Sequence, residues 1–405
     1  MHVVYLSPGF PAEMPLFVRG LAQVGAKVLG VGDQPAGALP ADAREALSDY
    51  LQVSSFGDEA KVVEEVRAWL RGRDVARVEC LWERLMYLAA RMREAFGLPG
   101  MSRAQTAIFR DKEAMKVAVE KAGLRVPRHG RARSTQEAWA AVERCGYPAI
   151  VKPIDGAGSK DTYRCNDKQE FADALAKVKH IDELSVEEFI EGEELTYDTV
   201  CADSRILFEN VAWYRPKPMI LAQNPWISMQ NVVLRDLSHE FPRPGVELGH
   251  GVLKALGFQT GFTHMEWFRT AKGEAVFGEI GGRPPGARLV HAMNYACDID
   301  LFRGWAEAVC YGRLSQDTSK KYTASMIFKR AQGEGTVRAH QGLRELMQKY
   351  GQHVATIELT PIGEPKRDWK KVVVGDGWIV VRHPDQATAL QISERFVNDL
   401  RIVAE

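Results

Sequence analysis

The sequence predicts a mixed α/β and α+β protein, with an open α/β unit first and a small α+β part at the end. Three observations carry this reading. Apolar runs at residues 3–6 and 27–31 flank a helical stretch, residues 13–24, that Gly25 stops, which makes a β-α-β unit. From residue 147 onward, short β-type runs follow one another through tight turns, the pattern of antiparallel pairing. The 405 residues are 45% hydrophobic and 26% charged, ordinary for a globular chain and enough for two or three domains.

Taken in order, residues 62–70 read as a helix, 75–81 as a strand, and 85–96 as a helix stopped by Gly97. The turn after the first strand, Ser7-Pro8-Gly9-Phe10-Pro11, has no Gly-x-Gly-x-x-Gly, so a dinucleotide cofactor is unsupported. Pro99-Gly100 marks a boundary, and a helix over 111–122 ends at Gly123. The strand 147–153 runs into the glycine loop Asp155-Gly156-Ala157-Gly158-Ser159-Lys160, and a second strand, 162–165, follows. Because the loop joins two strands and does not open a helix, it is not a Walker loop. A helix at 167–178, a strand at 185–190 and a hairpin of 195–202 with 205–214 come next. Helix 301–311 precedes a tail with strands 325–329 and 378–382 and helices 342–350 and 386–400. The expected domains are 1–101, 102–320 with a subdomain at about 113–192, and 321–405.

Lys plus Arg and Asp plus Glu are 53 each, so no general basic field for nucleic acid exists. The six cysteines show no Cys-x-x-Cys spacing, which disfavours a zinc knuckle or disulfide framework and fits a reducing compartment. The opening residues read as a strand that breaks at Pro8-Gly9 and not as a signal peptide, and no apolar run approaches the roughly 20 residues of a membrane helix. A cytoplasmic protein without nucleic-acid or membrane partners is expected. If the chain self-associates, a homodimer is the commonest closed form.

Chemistry concentrates on a second predicted hairpin, residues 263–269 with 274–281, turning at Lys272-Gly273. A two-residue turn there places Glu266 directly opposite Glu279, and a four-residue loop keeps that register. Like charges facing across a strand pair repel, so a cation between them is one reading; two unrelated glutamates on a solvated face is the other. Oxygen-only ligands suit Mg²⁺ or Mn²⁺ bridging carboxylates to phosphates. Lys152, at the end of a buried strand, can hold an ammonium against phosphate or simply snorkel. Gly156, Gly158 and Ser159 can close backbone N–H groups over phosphate or simply form a hairpin turn. The acidic run Glu187 to Glu194 is either a solvated loop or, given Phe189 and Ile190 within it, a buried one.

This order of strand, glycine loop, strand, helix, acidic strand and two-carboxylate hairpin resembles the ATP-grasp superfamily, and the resemblance covers most of the chain. Within it the chain looks closest to the biotin-carboxylase-like carboxylate-amine ligases, including the L-amino-acid ligases. Four stretches carry the likeness: Arg110-Asp111-Lys112, Tyr147-Pro148-Ala149-Ile150-Val151-Lys152-Pro153, Glu187-Glu188-Phe189-Ile190-Glu191-Gly192-Glu193-Glu194, and Glu279-Ile280-Gly281-Gly282-Arg283-Pro284-Pro285-Gly286. The resemblance implies a pre-ATP-grasp α/β domain, a two-subdomain clamp on ATP, and ligation of a small carboxylate to an amine through an acyl phosphate, releasing ADP and phosphate. It further implies phosphate contacts at Lys112, Lys152, Gly156, Gly158 and Ser159. Glu187 would accept the adenine amino group, Phe189 and Ile190 backbone would read the ring edge, and Glu194 would bond the ribose. Glu266 and Glu279 would hold Mg²⁺, and Arg283 would stabilise the transferring phosphoryl group.

The chain departs from the family pattern at Gly281, where an asparagine is usual, so the number of metal ions stays open. Acceptor contacts are expected among Arg288, His291, Asn294, Trp213, Arg215, Lys217, Trp226 and Met229, and His264 shares a strand face with Glu266. Two rival readings stand beside the ligase: a biotin-carboxylase-type carboxylase and a non-catalytic nucleotide-binding regulator.

Overall fold

The computed structural model describes residues 1–155, 161–217, 220, 224, 227–369, 372 and 374–405. The first sheet is parallel, in the order β3-β2-β1-β4, from β1 (His2–Leu6), β2 (Lys27–Gly32), β3 (Leu47–Gln52) and β4 (Val75–Glu79). The edge strand β3 went unread in the sequence because Leu47-Ser48-Asp49-Tyr50-Leu51-Gln52 mixes polar and apolar residues and buries none of them fully. Helix Met14–Gln23 sends Phe17 and Leu21 into the core shared with helix Leu301–Tyr311. There Phe17 meets Trp305 edge-on at 5.3 Å, and Gly20 lies so close that a Cβ would stand 2.5 Å from the Phe302 carbonyl. One hydrophobic core therefore joins the N-terminal unit to the rest of the chain.

A second, antiparallel sheet runs β5-β8-β6-β7, from β5 (His129–Ala132), β6 (Ala149–Pro153), β7 (Tyr163–Cys165) and β8 (Leu184–Glu188). Helices Thr135–Cys145 and Lys168–Lys177 cover one face through Ala138, Val142, Phe171 and Ala174. The other face looks toward helix Lys112–Lys121.

The third sheet has eight strands, in the order β13-β12-β9-β10-β11-β14-β18-β17. Its members are β9 (Gly192–Ala202), β10 (Arg205–Arg215), β11 (Met229–Val233), β12 (Gly261–Thr270), β13 (Ala275–Gly281), β14 (Thr323–Lys329), β17 (Val354–Leu359) and β18 (Gly377–His383). Strands from the last part of the chain thus extend the same sheet that carries β12 and β13. A small sheet of β15 (Gln332–Gly333), β19 (Arg401–Ala404) and β16 (Val337–Gln341) completes the fold. Among the described residues no helix is long and apolar enough to cross a membrane.

The β12–β13 register pairs Glu266 with Glu279, as the sequence predicts, but by a different route. The loop holds three residues, 271–273, with the Thr270 carbonyl accepting from the Gly273 N–H and the Thr270 N–H donating to the Glu274 carbonyl. A bulge between Glu266 and Trp267 then shifts the pairing by one, so that Trp267 faces Phe277. Gly278 is the extra residue, and a Cβ there would stand 2.8 Å from the Glu266 carbonyl. Gly278→Ala should therefore force the two strands apart at the carboxylate pair and destabilise the protein by about 1–3 kcal/mol. Thermal melting checks this; an unchanged midpoint would show that the close approach at Gly278 is not required.

Candidate functional site

Asp111 caps helix Lys112–Lys121 by accepting from the Glu113 and Ala114 N–H groups, both at 2.9 Å. The cap fixes Lys112 at the helix start, where its Nζ lies 3.5 Å from Glu279 Oε2 on β13. One turn on, Lys116 is completely buried. Its Nζ stands 2.7 Å from Glu187 Oε1 and donates to the Lys112 carbonyl at 3.0 Å. Lys152, at the end of β6, lies 3.0 Å from the other oxygen, Glu187 Oε2. Ser185 Oγ lies 2.7 Å from Glu187 and also against Glu113, its single proton serving one carboxylate at a time, and the second oxygen of Glu113 lies 2.7 Å from His129 Nδ1.

This network has definite electrostatic consequences. Burial alone would raise the Glu187 carboxyl, but Lys116 and Lys152 hold it well below the ordinary carboxylate range. Burial works against the Lys152 charge too, yet Glu187 and Glu279 outweigh it and push the ammonium upward. Both groups are therefore charged at neutral pH. Lys116 carried no signal in the sequence beyond its spacing of four from Lys112, which places both on one helix face.

Across the cleft, one face of the eight-stranded sheet carries Glu194, Thr196 and Asp198 on β9, His264 and Glu266 on β12, and Glu279 on β13. The pairings Glu266 with Thr196 and His264 with Asp198 align them. His264 is not a lone histidine. Its Nδ1 lies 2.6 Å from Asp198 Oδ1, and its Nε2 lies 3.7 Å from Glu266. Burial opposes the imidazolium, but the Asp198 bond lifts it to about 9. Asp198 is buried and in turn accepts from Thr196 at 2.8 Å and Asn210 at 3.1 Å. Burial and then the charges of Glu266 and Glu279 push Glu194 up to about 8. Lys112 and Lys152 instead draw Glu279 downward against its burial.

The arrangement fits a hard divalent cation. Among the described residues no group of three or more His, Cys, Asp and Glu side chains could hold a metal. Glu266 and Glu279 offer two facing carboxylates, the protein's share in sites that Mg²⁺ completes with water and phosphate oxygens.

Other sequence expectations fall differently. Gly156, Gly158, Ser159 and Trp226 lie outside the described residues. Each Glu187 oxygen has one lysine partner, Lys116 on Oε1 and Lys152 on Oε2, so the carboxylate orients both ammonium groups. The Phe189 N–H donates to the Pro148 carbonyl at 3.0 Å, and its ring lies 4.1 Å under the Arg164 guanidinium. That leaves Ile190, which is buried, as the ring-edge donor candidate on this segment. Gly192 follows on the same segment. It opens β9 opposite Thr270, where a Cβ would stand 2.3 Å from the Arg269 carbonyl.

Trp213 donates to Glu193 at 2.9 Å and Arg215 to Glu394 at 3.0 Å, so both are engaged away from the carboxylate pair. Arg283 donates through Nε at 2.8 Å and Nη2 at 2.7 Å to Glu83 Oε2, and through Nη1 to the Pro284 carbonyl at 2.9 Å. Glu83 also receives Arg110, which reaches on to Asp155. No local pattern around Glu83 announced this role.

Two expected outcomes follow from the electrostatics. Lys116→Met leaves buried Glu187 with one cation and should cost about 3–5 kcal/mol in denaturant unfolding, most of it recovered when Glu187→Gln is added. A single variant as stable as wild type would remove Lys116 from the network. Glu194, raised from 4.5 to about 8, binds a proton in the folded state that the unfolded chain has lost, so stability falls as pH rises between those values. The slope is at most about 1.4 kcal/mol per pH unit. In chelator-treated protein, Glu194→Gln should melt with wild type at pH 5 and above it near pH 8. Parallel curves would contradict the raised carboxyl.

Residues 109–212 match the ATP-grasp domain family. The chain is 29% identical over 222 residues to the L-arginine-specific L-amino acid ligase of Bacillus subtilis, a match spanning 52% of this chain and 52% of that one. The chain thus aligns with about half the length of that curated relative. Its fold superposes on the crystal structure of an L-amino acid ligase from Bacillus licheniformis with a TM-score of 0.79 at 20% identity, covering 100% of this chain and 98% of that one. It also superposes on N5-carboxyaminoimidazole ribonucleotide synthetase from Thermotoga maritima, with a TM-score of 0.73 at 18% identity, covering 100% and 99%.

Proposed function

We propose that this chain, a member of the ATP-grasp superfamily, is an ADP-forming ligase that joins a small carboxylate, an amino acid or similar metabolite, to an amine through an acyl phosphate. One observation carries the reading. Lysines of one sheet unit and carboxylates of the other converge on a single cleft, with Lys112 within 3.5 Å of Glu279 and Lys152 charged by Glu187 and Glu279. Lysines 112 and 152 would meet the phosphates, and Ile190 backbone would meet the base. Glu194, beside the carboxylate pair, would bond the ribose. Glu266 and Glu279 would hold Mg²⁺, which when bound supplies charge neutralisation between them and the phosphates.

No side-chain nucleophile is needed, because the substrate carboxylate attacks the γ-phosphorus and ADP leaves. The amine then attacks the acyl carbon and phosphate leaves. Arg283, oriented by Glu83, would face the transferring phosphoryl group with its remaining N–H donors. Arg288, His291 and Asn294 follow in the next turns and remain the candidates for acceptor contact. The domains would be 1–101, 102–320 and 321–405, with the clamp at about 113–192.

A screen of ADP release over amino-acid pairs and other carboxylates, with mass detection of product, tests the activity. ADP release that needs bicarbonate would instead indicate a carboxylase, and nucleotide binding without release would indicate a regulator. With a substrate pair in hand, Arg283→Lys should keep the MgATP-induced rise in melting temperature but lower kcat by about a hundredfold to a thousandfold. Wild-type kcat in that variant would remove Arg283 from the transition state.

A further inference from the structure

The segment from Arg283 to Arg288 leaves β13 four residues after Glu279 and ends where helix Leu289–Cys297 begins. Its last two residues are held in an uncommon backbone state. Ala287 has φ 54° and Arg288 φ 58°, consecutive left-handed residues without a glycine. Such conformations persist only where their surroundings enforce them. Arg288 is also the cap position of the helix and supplies no side-chain cap of its own.

The enforcing group comes from the other end of the chain. Glu13 is buried at the head of helix Met14–Gln23, and its Oε1 accepts the Arg288 N–H at 2.6 Å. At the opposite end of the segment, Glu83 Oε2 accepts two N–H groups of Arg283. The two glutamates lie just past the C-terminal ends of β1 and β4, neighbours in the parallel sheet. Just before the Arg283 anchor the fit is close. A Cβ on Gly282 would stand 2.9 Å from Met101, and one on Gly281 would stand 3.3 Å from Arg283.

We propose that Glu13 and Glu83 are positioning residues, through which the N-terminal unit fixes both ends of the Arg283–Arg288 segment and so aims Arg283 and the start of helix Leu289–Cys297 at the carboxylate pair. The proposal rests on the ligase reading for its kinetic consequence, but its structural consequence is independent of it. Glu13 acts as an acceptor of a backbone N–H, so a neutral carbonyl oxygen in the same place serves.

The test uses the full chain and the pair Glu13→Ala and Glu13→Gln. Amide hydrogen exchange over residues 287–291 should quicken by about tenfold or more in the alanine variant and stay near wild type in the glutamine variant. With MgATP and a substrate pair found by the ADP screen, kcat should fall roughly tenfold to a hundredfold in Glu13→Ala, with the KM for ATP within about twofold. Glu13→Gln should restore kcat. Unchanged exchange and kcat in Glu13→Ala would overturn the proposal. Equal defects in both variants, with a raised KM for the amine or amino-acid substrate, would overturn it as well and make Glu13 a substrate ammonium contact.

Should Glu13→Ala not melt cooperatively, Glu83→Gln carries the test at the other anchor. It should lower kcat by about tenfold at constant ATP KM, and an unchanged kcat there counts against the proposal. If wild type turns over no substrate, the ligase reading fails, while the exchange result still decides the anchoring.

Discussion

Charge in the site can be buried only because the packed elements supply opposite signs to one another. Lys112, Lys116 and Glu113 on one helix, Lys152 and Glu187 on the β5–β8 sheet beside it, and Glu279 on β13 each stand within reach of a partner of the other sign. A buried ion without that partner would be far costlier than a surface one. The capped helix start at Lys112, the β6–β8 pairing that brings Lys152 near Glu187, and the β12–β13 register all serve this arrangement. The remaining crowding is acidic: Glu194 and Glu266 share one sheet face with Glu279, and Glu194 responds as a raised carboxyl. That residual negative charge is where a cation would be gained with least opposition.

Glycines admit the close approaches that this geometry needs. Gly278 lets β13 bulge against the Glu266 carbonyl, and Gly192 lets β9 begin against the Arg269 carbonyl. At Gly281 the Arg283 side chain lies 3.3 Å from where a Cβ would stand. A side chain there would compete with Arg283 for the space on its way to Glu83.

Residues whose roles come from neighbours in the chain were legible. Glu266 faces Glu279 because a hairpin register follows from its turn, and the bulge at Gly278 compensated for a turn read slightly wrong. The strand carrying Lys152 and the helix starting at Lys112 follow from apolar runs and an Asp cap. Lys116, Glu83, Glu13 and Asp198 were not legible as site residues. Lys116 looks like any helix lysine until β8 is laid beside it, and Glu83 and Glu13 act on residues 200 and 275 positions away.

The sequence by itself determined the fold class, the order of the elements and the facing carboxylates, because period, caps and turns are local and each constrains only a few neighbouring residues. Tertiary structure alone decided which charges neutralise one another, that His264 is held by Asp198, and that Glu187 is shared by two lysines. It also decided that Arg283 and Arg288 are held by glutamates of the N-terminal unit. Electrostatic partnership depends on distance and burial in space, and neither is encoded in the spacing of residues along the chain.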